Sequence, residues 1–188
     1  EYLASKCKVK NNSEAMLIRN SKLSVCPITT HIDVKQISKK INKNLIVNKT
    51  KTVEFWLKQQ LKRKPKIGIL GLNPHNAELR KNSEEKKIIM PAILKLKKKG
   101  ISGKGPLVAD TIFINDYKKY DIIVGMFHDQ VLTPFKTLYK FDAINITLGL
   151  KYLRVSPDHG IAKNLIGTNK ADATSLLKCI NFVNKYKK

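Results

Sequence analysis

The sequence predicts an α/β fold, a mainly parallel sheet flanked by helices, on three observations. Short apolar runs such as Ile67-Gly-Ile-Leu-Gly-Leu72 and Ile122-Ile-Val-Gly-Met-Phe127 lack the polar alternation of a half-solvated strand, as strands buried on both faces do. Amphipathic segments of helical period separate those runs and join them through short loops. Polar clusters containing His, Asp and Asn follow the runs directly, and an open α/β sheet presents its chemistry at the carboxyl ends of its strands.

Each element has its own justification. Residues 1–10 read as the tail of a helix or a loop. Two short strands, 15–19 and 22–28, flank Asn20-Ser21, a hairpin-like turn. The second runs into Thr29-Thr30-His31, after which Asp33 opens an amphipathic helix with Val34, Ile37 and Ile41 on one face. A longer helix is expected over 48–64, capped by Asn48 or Thr50 and striped by Val53, Trp56, Leu57 and Leu61. Its lysine-rich end suits a helix C-terminus, and Pro65 stops it. The apolar run 67–72 empties into Asn73-Pro74-His75. Ser83 and Glu84-Glu85 open a third helix, acidic at its start, lysine-rich at its end and closed by Gly100. Ser102-Gly-Lys-Gly-Pro106 is neither a P-loop nor a G-x-G-x-x-G after a strand, and reads as a turn. The strand over 121–127 then delivers His128-Asp129-Gln130. Strands over 143–149 and 152–156 follow, the second ending in Pro157-Asp158-His159-Gly160. Asp172 caps a last helix whose buried face is expected to be Leu176, Leu177, Ile180 and Val183.

Composition narrows the function classes. The formal charge of +23 invites a nucleic-acid reading, but only four of the 37 basic residues are arginine (Arg19, Arg63, Arg80 and Arg154). The lysines are spread along the chain and no aromatic platform is clustered with them. Specific nucleic-acid recognition is therefore not expected, whereas attraction to polyanions at low salt is. No stretch approaches the roughly 20 apolar residues of a membrane span, and no signal peptide pattern opens the chain. The chain starts at Glu1 in charged sequence and reads as a portion of a longer protein. Cys7, Cys26 and Cys179 are odd in number and far apart, which suits reduced thiols and a cytoplasmic setting.

The candidate chemistry lies at the strand ends. His31, His75 and His128 each follow an apolar strand, so parallel strands would aim all three at one crevice. Three imidazoles with an open fourth position make a catalytic divalent-metal site, best suited to Zn²⁺, with Mg²⁺, Mn²⁺ or Co²⁺ possible. Asp110 and Asp129 could orient the histidines or share the site. Lys136, Asn145 and Arg154 fall at the same crevice edge. A fixed Arg and a Lys are what a phosphate or carboxylate requires, the first as a fork and the second as a point charge.

Five ordered segments then resemble one family. Gly71-Leu-Asn-Pro-His75, Gly105-Pro-Leu-Val-Ala-Asp-Thr-Ile-Phe113, Phe127-His-Asp-Gln130, Asn145-Ile-Thr-Leu-Gly-Leu150 and Arg154-Val-Ser-Pro-Asp-His-Gly160 are similar to the motifs of the PdxA family, the 4-hydroxythreonine-4-phosphate dehydrogenases of pyridoxal phosphate (vitamin B6) biosynthesis. Thr29-Thr30-His31 stands in the expected place upstream, and the resemblance covers essentially the whole chain. It implies an isocitrate/isopropylmalate dehydrogenase-like fold. It also implies NAD- and metal-dependent oxidation of 4-phosphooxy-L-threonine at C3, followed by decarboxylation to 3-amino-2-oxopropyl phosphate. Carried over, His31, His75 and His128 are the metal ligands, shared across a homodimer interface. Lys136, Asn145 and Arg154 contact the substrate, and Asp110, Asp129 and Lys136 serve the chemistry. His159, Gly160, Ala162 and Asn164 lie in the segment that resembles the loop for the adenosine end of the cofactor. Residues 1–188 would then be the C-terminal portion, with the family's upstream Gly-His-Thr part outside it.

The departures are local. The family follows Asn-Pro-His with a glycine-rich loop beginning Ala-Gly-Glu, whereas here it is Asn76-Ala77-Glu78-Leu79-Arg80. Val131 replaces the Gly after His-Asp-Gln, and Ile161 replaces the Thr after Asp-His-Gly. A dehydrogenase of 4-phospho-threonate or 4-phospho-erythronate is the alternative activity, and a non-catalytic basic fragment the alternative outside enzymology.

Overall fold

A computed structural model describes residues 5–7, 9 and 12–186, so most of the helix tail or loop expected over 1–10 lies outside the described residues. Seven strands form one mixed sheet: β1 (Ala15–Arg19), β2 (Ser24–Thr29), β3 (Ile67–Leu70), β4 (Gly103–Leu107), β5 (Ile122–Phe127), β6 (Ile144–Leu148) and β7 (Arg154–Pro157). Their spatial order is β4-β3-β5-β2-β1-β6-β7. The first four of that order are mutually parallel, and β1, β6 and β7 continue as antiparallel neighbours. The expected parallel character therefore belongs to one half of the sheet.

In that half β2 and β3 are buried along their full lengths, and β5 up to Phe127, as unbroken apolar runs require. The β1–β2 hairpin turns at Asn20, whose Oδ1 accepts from the amides of Lys22 (2.8 Å) and Leu23 (2.9 Å). In the antiparallel half, β6 alternates. Ile144, Ile146 and Leu148 enter the core, while Asn145 and Thr147 share a face with their register partners Ser156 and Arg154 on β7.

The helices cover the sheet with several differences from expectation. Asp33 precedes a 3-10 turn and then a four-residue helix, α1 (Ile37–Lys40). Val34 is 79% exposed, so only Ile37 and Ile41 of the expected face are buried. The long helix α2 (Lys43–Leu61) starts five residues before the expected 48. Its cap is Asn42, whose Oδ1 accepts from Leu45 N at 2.9 Å; Asn48 and Thr50 lie inside the helix. A π-turn over Glu85–Ile89 leads into α3 (Met90–Lys98), and Gly100 closes it at φ 75°.

The expected turn at Gly103 to Pro106 is instead β4, an edge strand. A Cβ on Gly105 would strike the carbonyl oxygen of Ile69, so glycine there lets β4 lie close against β3. After the short α4 (Ala109–Ile112), the stretch following β5 is a helix that sequence reading left out, α5 (His128–Tyr139). It contains Pro134, which reads as a breaker, yet Val131, Leu132 and Phe135 anchor it on the sheet. In α6 (Thr174–Lys185) the expected buried face is wrong. Leu176, Leu177, Ile180 and Val183 are about half exposed, whereas Ser175 and Cys179 are buried. Hydrogen bonding selects that face: Ser175 Oγ donates to Ala143 O (2.6 Å) and accepts from Asp158 N (2.9 Å). Asp172 does accept from Thr174 N at 2.8 Å at the start of this helix. Among the described residues no helix is long and apolar enough to cross a membrane.

Candidate functional site

The site is built at the carboxyl ends of β2, β5 and β3. Thr29 and Phe127 are register partners on neighbouring parallel strands, so the residues that follow leave the sheet side by side. His31 and His128 accordingly face one another, with ring centroids 5.7 Å apart. Thr29 Oγ1 donates to Met126 O at 2.8 Å and ties the two exits together. His128 is the first residue of α5, and its Nδ1 lies 2.6 Å from Asp129 Oδ1, the contact by which a carboxylate fixes an imidazole's orientation.

His75 stands apart. It follows β3 on an exposed turn, and its Nε2 lies 3.6 Å from Asp110 Oδ2 on α4. Among the described residues no three His, Cys, Asp or Glu side chains gather to hold a metal. The expectation that all three histidines point into one crevice of a single chain is thus corrected. His31 and His128 come together, and His75 does not join them. His75 opens a turn in which His75, Asn76, Ala77, Glu78 and Leu79 all take left-handed backbone angles, with φ between 48 and 57°. Left-handed helical backbone costs non-glycine residues about 1–2 kcal/mol each, and Ala77 in this run stands where the family pattern has its first glycine. The turn is held from both sides: Asn76 N donates to Asn73 O (3.0 Å), and Asn76 Nδ2 donates to Pro106 O (3.1 Å).

Two residues that sequence reading passed over organise these exits. Gln130 receives Met126 N on its Oε1 (2.6 Å) and donates from Nε2 to Gly71 O (2.7 Å), bolting the end of β5 to the end of β3. Glu85, fully buried, accepts from Leu72 N and Asn73 N, each at 2.8 Å. Burial pushes its carboxyl up, but the hydrogen bonds from Asn73 and Leu72 outweigh that and hold it below the usual carboxylate range. Their signal in the sequence was position alone, Gln130 inside a quoted motif and Glu85 in the acidic start of a helix.

The anion-binding candidates lie on α5, β6 and β7. Lys136 donates to Asp158 O (3.0 Å) and lies 3.3 Å from Asp158 Oδ2. Asp158 is buried, which raises its carboxyl's affinity for a proton, with Lys136 opposing. Arg154 donates from Nη1 to Thr147 Oγ1 at 2.8 Å, across the polar face of β6 and β7. Asn145 is on that same face, and its Oδ1 is buried without a hydrogen-bond partner among the described residues. His159, Gly160, Ala162 and Asn164 stand on the exposed loop that follows β7. A cavity of about 1050 Å³ adjoins the His31 exit, lined by Thr29, Thr30 and Ile32 and by Leu45, Asn48 and Lys49 of α2. Val131, where the family pattern has glycine, is fully buried beneath β5.

The ordered motifs and this arrangement converge with direct comparison. The family model for the pyridoxal phosphate biosynthetic protein PdxA matches residues 1–183. The chain belongs to the PdxA family. A 4-hydroxythreonine-4-phosphate dehydrogenase of Sulfurihydrogenibium sp. (strain YO3AOP1) is 42% identical over 182 residues, covering 96% of this chain and 56% of that protein. A D-threonate 4-phosphate dehydrogenase of Pectobacterium atrosepticum is 35% identical over 172 residues, covering 90% of this chain and 53% of that protein. The crystal structure of a 4-hydroxythreonine-4-phosphate dehydrogenase from Klebsiella pneumoniae superposes with a TM-score of 0.83 at 34% identity, covering 96% of this chain and 54% of that one. The chain thus spans about half the length of the PdxA relatives it matches, and the family resemblance read from its motifs is borne out.

Proposed function

We propose that this chain carries the metal- and substrate-binding half of a dehydrogenase. The reaction is NAD-dependent oxidation of 4-phosphooxy-L-threonine at C3, with decarboxylation to 3-amino-2-oxopropyl phosphate, in pyridoxal phosphate biosynthesis. The observation that carries the reading is the facing pair His31 and His128 on adjoining strand ends, in a chain of the PdxA family. Two imidazoles at that separation are half of a three-histidine donor set, and no third donor completes it within one chain among the described residues. The exposed His75 of a second copy is the third donor in this reading, so the site is shared across a homodimer.

A divalent cation bound there supplies a Lewis acid that polarises an alcohol or ketone oxygen. The rest of the work falls to the chain's own side chains. Asp129 orients the His128 ring, and Asp110 places a carboxylate charge 3.6 Å from His75 Nε2. Arg154 and Asn145 bind the anionic ends of the substrate. Lys136 draws the substrate's charge and moves a proton at its Nζ, with Asp158 holding that Nζ in place. The exposed loop carrying His159, Gly160, Ala162 and Asn164 receives the nicotinamide cofactor at its adenosine end.

Titration with Co²⁺ and Zn²⁺ tests the reading: wild type takes up about one ion per site, and His31→Ala, His75→Ala and His128→Ala each lose that affinity at least tenfold. Wild-type uptake and turnover in all three variants would overturn it. A second substrate, 4-phospho-D-threonate, is favoured by the Pectobacterium relative's name. Parallel assays on the two phosphorylated acids separate the readings by their kcat/KM ratio.

A further inference from the structure

Glu85 is a fully buried carboxylate in a chain with 37 basic residues, yet its bonding partners are neutral N–H groups rather than a cation. Oε1 accepts from Leu72 N and Asn73 N at 2.8 Å each, and from Asn73 Nδ2 at 3.2 Å, while Oε2 accepts from Asn73 Nδ2 at 3.1 Å. Every one of these bonds falls on the two residues before Pro74-His75. Burying a charge is costly, and a neutral amide oxygen would accept from the two backbone groups too, but more weakly than a carboxylate does. What the carboxylate adds is a second acceptor for the Asn73 side chain, which Glu84 Oε2 also engages at 2.9 Å. Pro74 has a fixed φ and transmits the Asn73 geometry to His75 with little slack. The wrap is tight on its inner side too. A Cβ on Gly71 would collide with Asn76 Oδ1 and lie 3.3 Å from Glu85 Oε1.

We infer that Glu85 is a positioning residue for His75: by clamping Leu72 and Asn73 it sets where the His75 imidazole stands. The inference deepens the metal-site reading above and rests on it for its purpose, though not for its geometry. The left-handed turn that begins at His75 has no glycine to relax it, so without the clamp the chain entering that turn keeps only the Gln130 and Asn76 contacts to fix it.

The test uses the 188-residue chain with isotope-labelled histidine, in wild type, Glu85→Gln, His75→Ala and the double variant. Glu85→Gln is expected to keep cooperative unfolding, with the His75 ring resonances shifted or broadened and those of His31 and His128 unmoved. Its Co²⁺ affinity, followed by the visible absorption of the bound ion, is expected to fall about tenfold. On the His75→Ala background, adding Glu85→Gln is expected to change the residual Co²⁺ affinity no further, because the residue acts through His75. An unmoved His75 resonance, or a full additional loss on the His75→Ala background, would overturn the inference. If wild type takes up no Co²⁺, the metal reading fails and the His75 resonance alone decides the positioning role. Should Glu85→Gln not fold, Asn73→Ala removes the side chain that Glu84 and Glu85 hold, leaves Glu85 its two backbone partners, and carries the same expectation.

Discussion

Two strands leave the same edge of the sheet and deliver their histidines in opposite ways. β5 ends at Phe127 and His128 follows at once as the first residue of a helix, in relaxed right-handed backbone, beside a carboxylate that fixes its ring. β3 ends at Leu70 and takes five more residues to reach His75, which begins a left-handed turn. The first exit is held mostly by near neighbours, Asp129 and Gln130, with Thr29 of β2 on Met126 O. The second is specified by distant side chains: Glu85 holds Leu72 and Asn73, and Gln130 holds Gly71. His128 sits on a helix end, whereas the exposed His75 is carried outward on a braced turn.

Breaking the bolt between the exits has the largest expected effect. Gln130→Leu leaves Met126 N and Gly71 O unpaired near the core and is expected to destabilise the fold by about 3 kcal/mol, read from urea unfolding. Acid attacks the β3 exit next. The Glu85 carboxyl is held below its ordinary range in the folded state, so it binds fewer protons folded than unfolded. Its stabilisation is complete above the ordinary carboxylate pKa and is lost as pH falls through the lowered folded value. Asp121 is also lowered, chiefly by its hydrogen bond with Arg63, and adds to the same acid limb. Asp158 is raised by burial and has the opposite sign, favouring the folded state as it protonates. The expected profile is a net loss of stability on acidification, with the slope in Glu85→Gln smaller by up to about one proton; an unchanged slope would count against the assignment.

Relaxing the turn is expected to have a smaller effect, in the other direction. Glu78 is exposed at φ 51°, so Glu78→Gly removes left-handed strain with no packing to lose and is expected to gain about 1 kcal/mol. The same change at exposed Lys51 in α2 is expected to cost about 1 kcal/mol. Melting temperatures moving in opposite directions would confirm that the two backbones differ in hand. The smallest effect lies at the far ends of the same two strands. Arg63 forms a bidentate pair with Asp121 at 2.6 and 2.7 Å, and Asp121 also accepts from Lys66 N. Half of Arg63 is exposed, so Arg63→Ala is expected to shift the urea midpoint least of these changes, and less still in molar salt.

Much of this arrangement was legible in the sequence because it follows from local pattern. The runs at β3 and β5 announced buried parallel strands, and the hairpin at Asn20 announced itself by turn chemistry. The three histidines stood out because each follows a strand, and the ordered motifs led to the family. What escaped depends on partners far away in the chain. The glycines near 103 read as a turn, since nothing local says that β4 must lie against the Ile69 backbone. The apolar stripe of α6 pointed inward on periodicity, but two hydrogen bonds of Ser175 turned the other face to the core. Pro134 hid α5, and the left-handed turn at His75 hid behind residues that rarely adopt it. The left-handed run from His75 to Leu79 could not be read locally, because none of its residues is a glycine.

The separation of His75 from the other two histidines is also where the central claim is most exposed. If His31 and His128 of one copy meet His75 of another, copies carrying His31→Ala and copies carrying His75→Ala should repair each other. Each pure variant would hold no tightly bound Co²⁺. After mixing and re-equilibration, mixed dimers retain one intact site, and about a quarter of all sites recover wild-type affinity. Recovery at that level is the predicted result. No recovery from fully exchanged mixtures, with each pure variant already inactive in binding, would contradict a site shared between copies.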